Sequence, residues 1–514
     1  MRKILLGVVF IAFLPTFGQR TNIFLSRDFW TQNTTVDQVK AEIAKGNSPS
    51  ELNERAFDAP TLAILGKVPT ATAIYLIEQP GNSITKATHD GRTYLFWAAS
   101  AGNVELMHYL IQKGSDLYAK DTKGNIPITF AALFGVTNPK VYDAFFKAGI
   151  SPKTKYDQGE TLLMKVIPFD NERLELTQYF LGKGMKIKEV SNSGATLFDY
   201  AAKGGNMRLL KVLRKKVKPT YQALPMAAEG MVRQPNNPIE LYKYLVENQK
   251  ISANAFDSKG ANALHYLARR QDLPSIKYLI GKGAMIDIID KDGNTALMNA
   301  CYGRNLDIVR ALYKSKGHIN QANKKGETAL LIALQRSDNN IVNFLLEQGA
   351  DTRVISKKGI NVIEALLDSY NPRKKDNEID FDKKVTLLKQ YLVSLQAPNT
   401  EGDTPLHLAV VKGNKELLEK VLSFGGDINS QNKDGETPLI KAAMVAKDTT
   451  ILEYLVTHGA DKGLTTSLGE TAYDLARENE ALQKKGANYN RQNEMYQKSK
   501  RNVHFLSRKI NGQR

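Results

Sequence analysis

Seven histidines, one cysteine and an excess of lysine are the residues of this chain with chemistry to offer. A metal centre needs imidazoles, thiolates or carboxylates converging on one ion, and sequence signals it by spacings such as HExxH or CxxC. His89, His108, His265, His318, His407, His458 and His504 show no such spacing. Cys301 is the single cysteine, so no intramolecular disulfide is open to it. It follows Ala300 with no basic neighbour and reads as a small buried apolar residue rather than a reactive thiol. A nucleotide enzyme would need a glycine-rich phosphate loop, and neither the Walker pattern nor GxGxxG after a strand occurs. GKGA at 281–284 reads as the end of a helix. The expectation is a non-enzyme with no catalytic residue, metal or cofactor.

Charge remains. The chain of 514 residues carries +18 at neutral pH. One group of lysines, Lys123, Lys259, Lys291, Lys324, Lys325, Lys357, Lys358 and Lys433, stands one or two positions before a glycine. A second group is C-terminal: nine Lys and Arg between Lys484 and Arg514 face Glu494 alone. Such fields attract acidic partners and speed their encounter.

Those glycines are periodic. Gly91, Gly124, Gly159 and Gly194 are spaced by 33, 35 and 35 residues; Gly260, Gly293, Gly326 and Gly359 by 33 each. Gly402, Gly435 and Gly469 follow at 43, 33 and 34. The gap of 66 between Gly194 and Gly260 is twice 33 and hides one repeat, whose helix reads as 223–228. A fixed period of this size marks a stacked array. Each glycine supplies the positive φ of a tight turn. Two residues later stands a helix-capping threonine, as at Thr93, Thr161, Thr196, Thr295, Thr328, Thr404, Thr437 and Thr471. Pro405 and Pro438 occupy the first helical position, where a missing N–H costs nothing. Leu297 and Ala300, or Leu439 and Ala442, continue an inner helix. A second apolar stripe, Ile341, Phe344 and Leu345, marks an outer helix that ends at Gly349, Ala350 and Asp351.

The phrase Thr404-Pro405-Leu406-His407, with Leu408 and Ala409 after it, resembles the ankyrin repeat. The resemblance spans roughly residues 30–480. It implies an all-α solenoid of about 12–13 copies, each a β-hairpin plus two antiparallel helices, stacked into an elongated curved array. It also implies that His265 and His407 bond within the hairpin–helix junction, and that the lysine-bearing tips line one edge of the concave face.

Domain organisation follows from the register. Residues 1–18 read as a signal peptide: Arg2 and Lys3, an apolar run from Ile4 to Leu14, then small Thr16 and Gly18 before Gln19. Residues 22–87 read as degenerate capping repeats, 88–217 as regular repeats, and 218–395 as repeats with insertions at 229–238 and 369–381. Residues 396–480 close the array, and 481–514 form a basic tail. The insertions read as tolerated surface loops or as a second contact site. The mature product is expected outside the cytoplasm, periplasmic or secreted, with no transmembrane span.

Two functions fit. The first is a monomeric scaffold that holds another protein, acidic where the lysine edge is its contact, on its concave hairpin and inner-helix face, with Phe96, Trp97 and Tyr302 as candidate aromatic anchors that fit the core equally well. The alternative is an electrostatic binder of anionic cell-envelope material through the tips and tail. No nucleic-acid partner is expected.

Overall fold

The computed structural model describes residues 22–371 and 375–483. The expected leader at 1–18, the tail beyond Gln483 and part of the 369–381 insertion lie outside them. The chain packs as two compact units that part between Ala223 and Leu224.

In both units short helices follow one another in pairs, as with Ala329–Arg336 and Asn339–Glu347. Between pairs the chain turns through a hairpin closed by an isolated antiparallel bridge, such as Ile289 with Thr295. Among the described residues this is an all-helical repeat fold, as expected. The eleven turn glycines from Gly91 to Gly469 have φ between +69° and +82°. Threonine then starts the inner helix: Thr295 Oγ1 accepts from Met298 N–H at 3.2 Å, and Thr437 Oγ1 from Ile440 N–H at 3.2 Å. Thr93 departs from the pattern, because its buried hydroxyl meets no hydrogen-bond partner.

The core runs along both helix layers. The inner helix Ala329–Arg336 buries Ala329, Leu330, Leu331, Ile332, Ala333 and Leu334, and so is apolar nearly all round. Its partner Asn339–Glu347 buries Ile341, Val342, Leu345 and Leu346. Phe344 is only half-buried and packs edge-on against Tyr313 of the preceding repeat, 5.7 Å between centroids. Each fully buried Leu or Ile contributes roughly 1.5–3 kcal/mol before ordering entropy is counted. Inner helices lie against inner helices of the next repeat, as 94–101 does on 127–133 and 263–269 on 296–300. Stability therefore comes from stacking rather than from any one repeat.

The first unit opens on an aromatic cap. Phe24 and Trp30 are buried, and the Trp30 indole N–H donates to Phe24 O at 2.9 Å. Gly66 admits that chain: a Cβ there would lie 2.5 Å from Trp30 O. The helix Val36–Ala44 starts with a capping box, Thr35 with Gln38.

The hidden repeat is present as the helix Ala223–Glu229. It lacks a turn glycine because side chains replace the hairpin before it. Asp199 accepts from Thr220 N–H at 2.8 Å and from Thr220 Oγ1 at 2.7 Å, while Gln222 Nε2 donates to Ser193 O at 2.7 Å. Burial raises the Asp199 pKa against the pull of these donors.

The insertions are built structures. The 229–238 segment folds around Arg270 of the next repeat. Its guanidinium donates to Glu229 O, Met231 O, Gln234 O and Pro235 O and to Asn236 Oδ1 at 2.8–3.4 Å. The 369–381 stretch does not stay a loop, because its second half enters a long outer helix, Lys375–Gln390. Lys384 of that helix is 1% exposed. Its ammonium donates to Ser337 O at 2.6 Å and Leu334 O at 3.1 Å and pairs with Asp380 at 3.0 Å. The lysine thus caps the end of helix Ala329–Arg336 from the next repeat, satisfying carbonyls that the helix cannot satisfy itself.

Candidate functional site

In the second unit the tips are held by the residue three positions before the glycine. Asp290 Oδ1 accepts from Asp292 N–H at 2.9 Å and Asn294 N–H at 2.8 Å. Asn323 does the same for Lys325 and Glu327, Ser356 for Lys358 and Ile360, and Asn432 for Asp434 and Glu436. These anchors escape the sequence analysis, although a short polar residue recurring three before the glycine is a legible signal.

Consecutive tips are also bonded to each other. Lys291 N–H donates to Lys259 O at 2.7 Å, Lys324 N–H to Asp292 O at 2.8 Å and Lys357 N–H to Lys325 O at 2.8 Å. Further on, Lys433 N–H donates to Glu401 O at 3.1 Å and Ser467 N–H to Asp434 O at 2.8 Å. This approach gives glycine a second reason, since a Cβ on Gly326 would sit 2.9 Å from Lys357 N.

All eight candidate lysines are exposed. Two are partnered: Lys123 lies 3.3 Å from Asp90 and Lys259 lies 3.4 Å from Glu229. Lys291, Lys324, Lys325, Lys357, Lys358 and Lys433 have no carboxylate within ion-pair distance among the described residues. The second unit therefore carries a bonded row of tips with free ammonium groups.

In the first unit the corresponding edge is neutralised from within. Arg92 is 6% exposed, sits 3.0 Å from both Asp90 and Asp121, and lies over the Phe130 ring at 4.4 Å. Burial would raise the Asp90 and Asp121 pKa values. The bond from Lys123 and the charge of Arg92 outweigh it at Asp90, and bonds from Asn125 and Arg92 do so at Asp121. Arg92 carries no local signal in the sequence, because Asp121 lies one repeat away.

The histidines take the structural role. His407 Nδ1 accepts from Thr404 N–H at 3.1 Å and lies 2.8 Å from its hydroxyl; Nε2 donates to Glu436 O of the next repeat at 2.8 Å. His265 Nε2 reaches Asn294 O at 3.1 Å in the same way. Burial lowers both pKa values, so both rings are neutral at pH 7. Cys301 is buried, and burial pushes its thiol up to about 12, which leaves it inert.

Of the aromatic candidates, Phe96 is 0% and Trp97 4% exposed, so both are core. Tyr302 is 39% exposed and carries the Arg269 guanidinium 3.6 Å above its ring. These two line a cavity of about 330 Å³ with Asn299, Lys324, Lys325 and Glu327. Among the described residues no group of three or more His, Cys, Asp or Glu could hold a metal ion. No helix there is long and apolar enough to cross a membrane.

Hairpin, capping threonine and paired helices at a period of 33 define a repeat scaffold. A family model of ankyrin repeats in three copies matches residues 264–356, 356–466 and 406–493, and a second ankyrin model matches 95–141. Together they cover more than half of the chain, which belongs to the ankyrin-repeat family. Over 89 residues it is 38% identical to mouse protein phosphatase 1 regulatory subunit 12A, covering 16% of this chain and 9% of that one. Over 78 residues it is 41% identical to mouse RelA-associated inhibitor, 15% of this chain and 9% of that one. A putative ankyrin repeat protein of fowlpox virus is 31% identical over 131 residues, 24% of this chain and 38% of that one. The chain thus spans under a tenth of the two mouse relatives. The family is one of interaction modules, and two of these relatives are named as a regulatory subunit and an inhibitor.

Proposed function

We propose that this chain is a non-enzymatic scaffold, exported from the cytoplasm, that holds an acidic protein on the face its hairpins and inner helices share. The observation that carries the reading is the row of unpaired lysines from Lys291 to Lys358 on tips joined by backbone bonds. Such a surface is ordered before its partner arrives, so little conformational entropy is lost on binding. Its charge raises the association rate of an acidic partner. The relatives' names, which describe proteins that regulate other proteins, support the interaction role. Export rests on the leader pattern of residues 1–18.

The test is charge reversal with Lys291→Glu, Lys325→Glu and Lys358→Glu in one chain. All three side chains are exposed, so the melting temperature should hold. Crosslinking in cells should trap a discrete protein on the wild type and lose it on the variant. At about 0.5–1 kcal/mol per reversed charge, affinity should fall roughly tenfold or more. Equal capture by the variant at low salt would remove the reading. A partner that proves to be a polyanion, released steeply as salt rises, would replace it with binding to anionic envelope material. Full-length protein in the cytosolic fraction would refute export.

A further inference from the structure

Beside the lysines runs a second line of side chains. In four successive repeats the residue four positions before the turn glycine is apolar: Phe256, Ile289, Ala322 and Ile355. Phe256 is 55% exposed, Ile289 48% and Ile355 50%, and Ala322 is exposed too. Elsewhere the same register holds Ala87, Lys120, Lys155, Val190, Pro398, Gln431 and Thr465. The unbroken run from Phe256 to Ile355 therefore coincides with the repeats that carry the lysine row.

Each tip carries a member of both lines. The backbone turns at the lysines, where Gly293 N–H donates to Asp290 O, Gly326 N–H to Asn323 O and Gly359 N–H to Ser356 O at 2.8–2.9 Å. The side chains of Asp290, Asn323 and Ser356 are taken up in holding these turns. Ile289 and Lys291, Ala322 and Lys324, Ile355 and Lys357 on either side of them are exposed two residues apart, and the tip-to-tip bonds keep the pairs in line.

We propose that this strip docks an amphipathic, acidic α-helix of another protein, its apolar stripe on Phe256, Ile289, Ala322 and Ile355 and its carboxylates on the lysines. The inference rests on the reading that the lysine edge receives an acidic protein, and it specifies the partner's form. Charge complementarity sets the acidic half. Spacing sets the helical half: packed helices stack roughly 8–10 Å apart, so the strip repeats at about that interval. Seven residues of α-helix advance ~10.5 Å and return to nearly the same face. Three residues of extended strand advance ~10 Å but arrive on the opposite face. Four contact points span ~30 Å, which a helix of about 20 residues covers.

The full chain is tested by fluorescence anisotropy against three labelled probes. One is a peptide of about three heptads with leucine at one heptad position and glutamates flanking it. The second has the same composition with its leucines scrambled, and the third is poly-glutamate. The heptad peptide should bind about tenfold or more tighter than the scrambled one. Phe256→Ser, Ile289→Ser and Ile355→Ser together should abolish that difference, leave poly-glutamate binding unchanged and keep the melting temperature. Equal binding of the heptad and scrambled peptides, or discrimination that survives in the serine variant, overturns the inference. The lysine reading stands in that case if charge reversal still weakens poly-glutamate. No binding of any acidic probe by the wild type, or binding indifferent to charge reversal, overturns both.

Discussion

Replacing Lys384 with methionine is the sharpest test of how the repeats are joined. The side chain is 1% exposed, and its ammonium meets Ser337 O, Leu334 O and Asp380. Burial lowers the lysine's pKa against the pull of Asp380, and Asp380 also accepts from Asn339 N–H at 2.7 Å. Methionine fills a similar volume, so little cavity is created. What it removes is the ammonium paired with a nearly buried carboxylate, together with donors to two helix-terminal carbonyls. Breaking one side of a buried pair costs about 3–5 kcal/mol. Lys384→Met should therefore lower the stability of the second unit by about that much, read as a shift in urea midpoint at constant slope. Asp380→Asn added to it should recover about 1–3 kcal/mol, because the orphaned charge is gone. A single variant that loses under about 1 kcal/mol, or a double variant no better than the single, would show that the ammonium does not join these repeats.

Arg270→Lys keeps the charge but cannot span the five acceptors of the 229–238 segment. Two of these bonds are half-buried, so the segment should loosen by about 2 kcal/mol and tryptic cleavage after Arg233 should accelerate roughly thirtyfold; unchanged cleavage would refute the clasp. Gly326→Ala forces a side chain to φ +74° and into Lys357 N. It should cost about 2–3 kcal/mol in thermal unfolding. Finally, burial lowers the pKa of His407 and His265 below the unfolded 6.5. Unfolded rings then bind more protons, so stability is fully present above about pH 7 and falls as pH drops below 6.5. His407→Gln keeps an acceptor for Thr404 N–H and should flatten the drop in melting temperature between pH 7 and 5.5; an unaltered slope would count against the neutral buried ring.

Local rules were legible in the sequence, and contacts between repeats were not. The turn glycines, the threonine caps at Thr295 and Thr437, and the hidden helix at 223–229 follow from backbone chemistry within a few residues. Arg92 and Asp121, Arg270 and Glu229, or Lys384 and Leu334 are 29 to 50 positions apart, and only stacking brings them together. The same limit hid the turn without glycine, where Thr220 and Asp199 stand in, and made the start of the helix at 375–390 read as part of a loop at 369–381. Phe96 and Trp97 fit anchor and core equally well in the sequence, because periodicity does not distinguish a helix packed on both sides from one packed on one; both are core.

The bond between successive tips has a direction. A tip inside the bonded row offers a carbonyl forward and an N–H backward, as Lys325 O and Lys324 N–H do. Inserting one more 33-residue copy consumes one such bond and creates two, and the pairing at its neighbours stays as it was. Lengthening by tandem duplication is thereby open to this edge at almost no structural cost, whereas a copy inserted out of phase would strand a donor on one side and an acceptor on the other.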